Sequence, residues 1–347
     1  MTLPDILGTD LFGEPIRMAP KAPLADRFLV PPFSVLDARA GDWQERKRAW
    51  LALGIKSEIG RGGCADKLTM SETVKRLKPS ADQAAKRNGL NGVQRNAGTL
   101  HPGDTGRQWG ETYEGGDGWA GEGTSIFDPV LCEALYRWYS PPGGLVIDPF
   151  AGGSVRGIVA ALMGRKYWGC DLQAKQVAAN KVQAATICPD NPPEWVTGDA
   201  REVLGFAPEA DFVFTCPPYG DLERYSDDPK DLSTMDLHAF LAALREVVRL
   251  ACGRLRPNRF AAIVVGEYRD GAGNYRNFVG HTVEAFRKAG LHYYNEAVLL
   301  TAVGSLPIRV GRQFEAGRKL GKTHQNVLVF LKGDAKAATL AVRGADA

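Results

Sequence analysis

From about residue 125 onward, short apolar runs alternate with longer stretches of helical period. Leu145–Asp148, Tyr167–Asp171, Trp195–Gly198, Asp211–Thr215 and Phe260–Val265 are brief apolar runs bounded by turn residues. That is the pattern of strands buried on both faces. Between them, Asp128–Tyr139, Ser154–Met163, Ala174–Ala185, Leu237–Leu250 and Tyr275–Lys288 place apolar residues three and four apart, the spacing of one helix face. Asp128 before Pro129 reads as a cap followed by a first-turn proline. Tyr293–Thr301 and Asn326–Leu331 are two further strands. Regular strand–helix alternation predicts a parallel, doubly wound α/β sheet, and the last two strands an antiparallel edge pair.

The preceding sequence is organised differently. Residues 1–60 form an N-terminal extension that is partly helical: Pro31–Leu36 reads as extended, and Asp42–Leu53 as a helix with Asp42 as cap and Gly54 as stop. Trp43 and Trp50 flank Arg46, Lys47 and Arg48, a pattern open to a basic, aromatic contact with DNA. Helical period alone accounts for the tryptophans packing on the main domain, and that reading is preferred. Residues 61–123 lack apolar periodicity and end in a Gly-rich run from Gly103, so they read as a linker or mobile loop. The main domain spans 124–333, and the Ala-rich residues 334–347 read as a frayed, disordered tail.

Composition narrows the classes. With 347 residues, 44% hydrophobic and 24% charged, the chain has material for a sizeable core. A net charge of +3 admits a nucleic-acid partner only through local positive patches. The six cysteines are scattered, with no pair at zinc-ligand spacing, so no metal site is expected and a reduced, cytoplasmic protein fits best. No apolar run is long enough to span a bilayer, and Met1–Asp5 does not open a secretory signal.

Chemistry concentrates where strands end. Val146-Ile147-Asp148-Pro149-Phe150-Ala151-Gly152-Gly153-Ser154 is an apolar strand ending in an acid, then small residues that let backbone amides approach a ligand. The acid precedes the glycines, which departs from the G-x-G-x-x-G dinucleotide fingerprint and weighs against a nicotinamide dehydrogenase. Asp171 and Asp199 end the next two strands. Each acid alone suits a cap or turn; three in order outline a nucleoside-shaped pocket. The fourth strand ends in Cys216-Pro217-Pro218-Tyr219, two prolines without amide donors and an aromatic face on which a base can stack.

Across Thr124–Lys332 the sequence resembles the S-adenosylmethionine-dependent amino-methyltransferases, the DNA adenine-N6 and cytosine-N4 enzymes. Asp148–Gly153 looks like their cofactor loop, Thr124–Pro129 like the segment beside the cofactor's methionine, and Cys216–Tyr219 like their Asp/Asn/Ser-Pro-Pro-aromatic motif. The wording of Cys216–Ser226, Lys322–Gly333 and Ala25–Gly54 is most similar to phage- or prophage-encoded members. The resemblance implies a Rossmann-like methyltransferase sheet. It implies S-adenosylmethionine held at Phe127, Asp148, Pro149, Phe150, Ala151, Gly152, Gly153, Asp171, Leu172, Asp199 and Ala200, and catalysis at Cys216, Pro217, Pro218 and Tyr219. Asp171 and Asp199 match the family's ribose and adenine contacts.

Cys216 departs from the pattern, because sulfur is a weak acceptor where the family has a side-chain oxygen. The Pro217 carbonyl and a nearby polar residue suffice, or Asp221 or Glu223 compensates, or activity is reduced. Cys216 as a nucleophile lacks a partner acid and base. Arg309, Arg312, Arg318, Lys319 and Lys322 lie in Arg309–His324, read as a mobile basic loop against DNA phosphates, with Arg224 and Lys230 flanking the motif and Glu267–Asn274 facing the same pocket. Methylation of an RNA guanine amino group or a protein glutamine, and a non-catalytic nucleic-acid-binding module, are the competing readings.

Overall fold

The computed structural model describes residues 6–9, 15–17, 23–56, 127–220, 225–304 and 306–343. In chain order these form β1 (Ile6–Thr9), β2 (Pro15–Arg17), α1 (Pro23–Phe28), β3 (Val35–Asp37), α2 (Gly41–Ala52), α3 (Pro129–Tyr139), β4 (Leu145–Asp148), α4 (Val155–Leu162), β5 (Lys166–Asp171), α5 (Ala174–Ile187), β6 (Glu194–Thr197), α6 (Ala200–Val203) and β7 (Ala210–Thr215). Then come α7 (Leu237–Arg254), β8 (Leu255–Val265), α8 (Phe278–Lys288), β9 (His292–Leu300), α9 (Leu306–Gly317), β10 (His324–Lys332) and α10 (Ala335–Arg343). β1 and β2 pair in a small separate hairpin.

The main sheet has eight strands in the order β3-β9-β10-β8-β7-β4-β5-β6. All neighbouring pairs are parallel except those of β10, which runs antiparallel to both β8 and β9. The antiparallel pair expected from the last two strands is present. Its place differs from the sequence expectation: β10 inserts between β8 and β9, and β3 from the N-terminal segment takes the edge. The N-terminal segment thus contributes a strand to the main sheet, since Val35–Asp37 pairs with Val298–Leu300.

Strand alternation divides the core into two layers. Phe212 and Phe214 pack with Leu131, Leu135, Tyr136 and Ile158 of α3 and α4 on one face. Val213, Ile263 and Phe330 pack with Phe240 and Leu244 of α7 and with Phe286 of α8 on the other. Phe286 and Phe330 stack with centroids 4.1 Å apart. Coverage on both faces explains why Leu145–Ile147, Phe212–Phe214 and Phe260–Val265 read as unbroken apolar runs.

Three local expectations need correction. α2 starts at Gly41, so Asp42 sits in the first turn, where its charge favours the helix N-terminus, and is not the cap; Gly54, at φ +92°, is the stop. Arg309–His324 is a loop only over residues 318–323, because Leu306–Gly317 is helical, with Pro307 in the first turn where its missing N–H costs nothing, and His324 opens β10. Residues 335–343 are helical rather than frayed: Asp334 accepts from the Ala337 N–H at 2.8 Å, and Ala338 is fully buried. The preferred reading of the tryptophans holds. Trp43 is buried and donates to Asp128 Oδ1 at 3.2 Å, while Trp50 and Arg46 donate to the buried Glu133 at 2.7 and 2.6 Å.

Candidate active site

β4, β5, β6 and β7 are parallel neighbours, so their carboxyl ends share one rim. Asp148, Asp171, Asp199 and the Cys216 turn all lie there, as the order of motifs implied.

Their environments differ sharply. Asp148 is fully buried. Its Oδ2 accepts from Arg156 Nε at 2.5 Å and the Tyr167 hydroxyl at 2.7 Å; its Oδ1 accepts from the Thr215 hydroxyl at 2.6 Å and the Phe150 N–H at 3.1 Å. Four donors from four parts of the chain occupy the carboxylate. These bonds brace the loop that follows β4. Arg156 extends the framework by donating to the Phe150 carbonyl at 2.6 Å and the Ala151 carbonyl at 3.0 Å. The guanidinium lies 4.5 Å from the centroid of the Phe127 ring, which also packs edge-on against Phe214. Burial opposes the Arg156 charge, but Asp148 beside it outweighs burial and holds the guanidinium above its ordinary value.

The loop that follows is held in a tight turn. Gly152 adopts φ +51°, a left-handed conformation that a side chain disfavours. Its N–H donates to Asp171 Oδ2 at 2.9 Å, and its carbonyl accepts from Asn180 at 2.7 Å. Asp171 also accepts from the Gln173 N–H at 2.8 Å. Of the three acids, Asp171 alone is half-buried, with Leu172, Gly152, Gly153 and Phe150 half-buried around it; Pro149 and Ala151 are buried beneath. Asp199 caps α6 through the Arg201 N–H at 2.9 Å and pairs with the Arg201 side chain at 2.5 Å; Ala200 beside it is buried. Burial would raise the Asp199 carboxyl, yet the Arg201 hydrogen bonds and charge prevail and its pKa lies below the ordinary value.

The turn after β7 is looser. Pro217 is buried, and Cys216, Pro218 and Tyr219 are half-buried. The Tyr219 hydroxyl accepts from Gln325 Nε2 at 2.9 Å and lies 3.9 Å from Cys216 Sγ, while its ring meets Phe278 edge-on at 6.1 Å. Burial pushes the Tyr219 hydroxyl well above its ordinary pKa. Because β10 is antiparallel, its first residues return to this rim and bring Lys322 and Gln325 with them. Lys322 Nζ is 3.4 Å from the Glu267 carbonyl, and burial lowers its pKa, with Glu267 opposing.

Of the remaining sites read from sequence, Arg312 and Arg318 are exposed and Lys319 is half-buried near Gly273; the Arg309 side chain lies outside the described residues. Asp221, Glu223 and Arg224 also lie outside them, and the exposed Lys230 pairs with Glu202 at 2.7 Å. The Glu267 carboxylate accepts from the Phe278 and Val279 N–H groups at 3.0 and 2.9 Å and caps α8. Sequence reasoning passed over Arg156, Tyr167, Thr215 and Gln325. Arg156 alone carried a signal, a cation inside the apolar helix Val155–Leu162. Among the described residues no cluster of His, Cys, Asp or Glu is built to hold a metal, and no helix is long and apolar enough to cross a membrane.

The strand order, with one antiparallel strand inserted and acids on the carboxyl rim, is that of a doubly wound, Rossmann-like sheet. Residues 107–182 match the N6/N4 methyltransferase family model, described as DNA methylase. The match takes in the Asp148 loop and Asp171 and stops short of the Cys216 turn; it agrees with the resemblance drawn from the motifs. No curated protein matches the chain. Among solved structures it is similar to TrmN from Thermus thermophilus, with 19% identity and TM-score 0.41 over 59% of this chain and 49% of that one. It is similar to the magnesium protoporphyrin IX methyltransferase ChlM from Synechocystis PCC 6803 with bound SAM (14% identity, TM-score 0.39, 61% and 87% covered). A provisionally assigned DNA modification methylase, also from Thermus thermophilus, shares 27% identity, with TM-score 0.30 and 40% and 51% covered. The chain thus spans about half the length of two of these proteins.

Proposed function

We propose that this protein is an S-adenosylmethionine-dependent methyltransferase that methylates an exocyclic amino group of adenine (N6) or cytosine (N4) in DNA. The observation that carries the reading is the shared rim: the Gly152 loop, braced by Asp148 and Arg156, opens beside the Cys216–Tyr219 turn. The family match over residues 107–182 supports it.

The residues fit the cofactor. A left-handed Gly152 and small neighbours leave room for a ligand at the backbone, and the half-buried Asp171 is placed to accept ribose hydroxyls. Phe150, Gly153 and Leu172 surround that position, and Asp199 with Ala200 stands at the next strand end for the adenine. When bound, the cofactor supplies a methyl group on a sulfonium, already activated for transfer. The chain supplies placement. Tyr219 stacks on a base swung out of the duplex, a movement that costs a few kcal/mol. The two prolines contribute carbonyl acceptors without competing amide donors, and an acceptor at the amino group stabilises positive charge developing on nitrogen. Cys216 offers only weak acceptance, so the Pro217 carbonyl takes the larger share. Fixing nitrogen and methyl in line provides the entropic advantage.

DNA is the partner, and α9 with the segment behind it is the surface offered to it. Arg312 and Arg318 are exposed there, Lys319 and Lys322 stand between the helix and the rim, and Arg309 lies on the same helix. We read the reaction as one of the cytoplasm of a bacterial or phage-infected host cell, a reading that rests on the resemblance to phage- and prophage-encoded proteins. Incubation with labelled S-adenosylmethionine and unmethylated DNA, followed by nucleoside mass spectrometry, tests the reading. N6-methyladenine or N4-methylcytosine is expected; neither product, or label appearing only in RNA or protein, overturns it.

A further inference from the structure

Side chains from two distant parts of the chain meet at the motif tyrosine. Gln325 donates to the Tyr219 hydroxyl at 2.9 Å across 106 residues of sequence, and Cys216 Sγ approaches the same oxygen at 3.9 Å. The two partners are unequal in rigidity. Tyr219 sits in a turn outside regular structure, whereas Gln325 stands on β10, which is paired on both sides to β8 and β9. Gln325 lies opposite Leu299, and the next residue, Asn326, lies opposite Val265 and Val298. A hydrogen bond from a doubly paired strand to a turn fixes the turn, because the strand has little freedom to follow.

The edge-on contact with Phe278 restrains one side of the Tyr219 ring. The bond from Gln325 restrains the far end, so together they set the plane of the ring. That plane matters more here than in a site with a strong acceptor at position 216. A carboxylate or amide there locates the target amino group by itself; a thiol does so weakly. Orientation of the base then depends on the surface it stacks against, and on whatever fixes that surface.

We propose that Gln325 is a positioning residue for methyl transfer, setting the plane of Tyr219 against which the target base stacks. The proposal rests on the reading of Tyr219 as the stacking platform. A purely structural role, a partner for a buried hydroxyl, would reveal itself in stability and leave turnover per folded molecule unchanged.

The full-length protein is compared with Q325L, Q325E, Y219F and the double variant Y219F/Q325L, using labelled S-adenosylmethionine and unmethylated genomic DNA. Q325L is expected to lower kcat about tenfold, the weight of one hydrogen bond in placement, with KM for S-adenosylmethionine within about twofold. Q325E, whose carboxylate accepts from the hydroxyl, is expected to restore most of kcat. Y219F/Q325L is expected to be no slower than Y219F, since Gln325 acts through the hydroxyl. Wild-type kcat in Q325L, or losses that multiply in the double variant, overturns the proposal. Thermal unfolding of the same proteins reads the hydrogen bond without activity: non-additive stabilities report the bond, and additive ones count against it. A wild-type protein that methylates no DNA overturns the functional reading and the positioning role with it, whatever the unfolding data report.

Discussion

The loop after β4 and the turn after β7 are neighbours on one rim, yet they are built in opposite ways. In the first, a fully buried carboxylate takes four hydrogen bonds and a buried guanidinium laces two loop carbonyls to it. In the second, a half-buried tyrosine is steadied by one amide hydrogen bond, a long sulfur contact and an aromatic edge. On the proposed function, the difference follows from what each half accommodates. A small cofactor of fixed shape is bound with least loss when its site is already formed. A base arriving from a duplex brings a large, variable partner, and the groups that receive it must leave an opening. The exposed α9 leads into the segment that brings Lys322 and Gln325 to this turn.

The most damaging way to break this contrast is to strip the closed half of its cation. Arg156→Met leaves the Asp148 carboxylate buried and unpaired, and urea unfolding is expected to show a loss of about 3–5 kcal/mol. Asp148→Asn in the same chain removes the orphaned charge and is expected to recover part of it. A loss near zero in the single variant would mean that the loop does not depend on the pair. A smaller effect is expected from the open half. Arg312→Ala with Arg318→Ala should leave stability and cofactor affinity unchanged and weaken DNA binding. Its salt dependence should flatten by about one unit of slope for each phosphate no longer neutralised. An unaltered salt slope would remove α9 from the DNA-facing surface.

Legibility in the sequence divides along a similar line. Strand ends in Asp148, Asp171 and Asp199, and the proline turn, are local words, and each proved to sit where its strand placed it. Relations between distant residues were not legible. The four donors to Asp148 come from positions 150, 156, 167 and 215, and only the finished sheet brings them together. Gln325 reaches Tyr219 because β10 inserts antiparallel between β8 and β9, an order that no local pattern encodes. The helix at Leu306–Gly317 was hidden by Gly311 and a run of basic residues, although Pro307 in its first turn was a usable start signal. The helix at Ala335–Arg343 was hidden by an alanine-rich composition that suits a helix as well as a frayed end, and Asp334 as cap decides between them. The N-terminal strand carried only three residues of signal, too few to show that it completes the sheet edge.

The division of labour between the two halves is tested most directly by crossing Asp171→Ala with Tyr219→Ala and measuring, for each, calorimetric affinity for S-adenosylmethionine and the single-turnover rate of methyl transfer to DNA. Tyr219→Ala is expected to cut transfer by about a hundredfold or more, the scale of lost base stacking and placement, while cofactor affinity stays near that of the wild type. Asp171→Ala is expected to weaken the cofactor about tenfold and to regain most of its transfer rate at saturating cofactor. Equal losses of both quantities in both variants would contradict the assignment of one rim to two separate tasks.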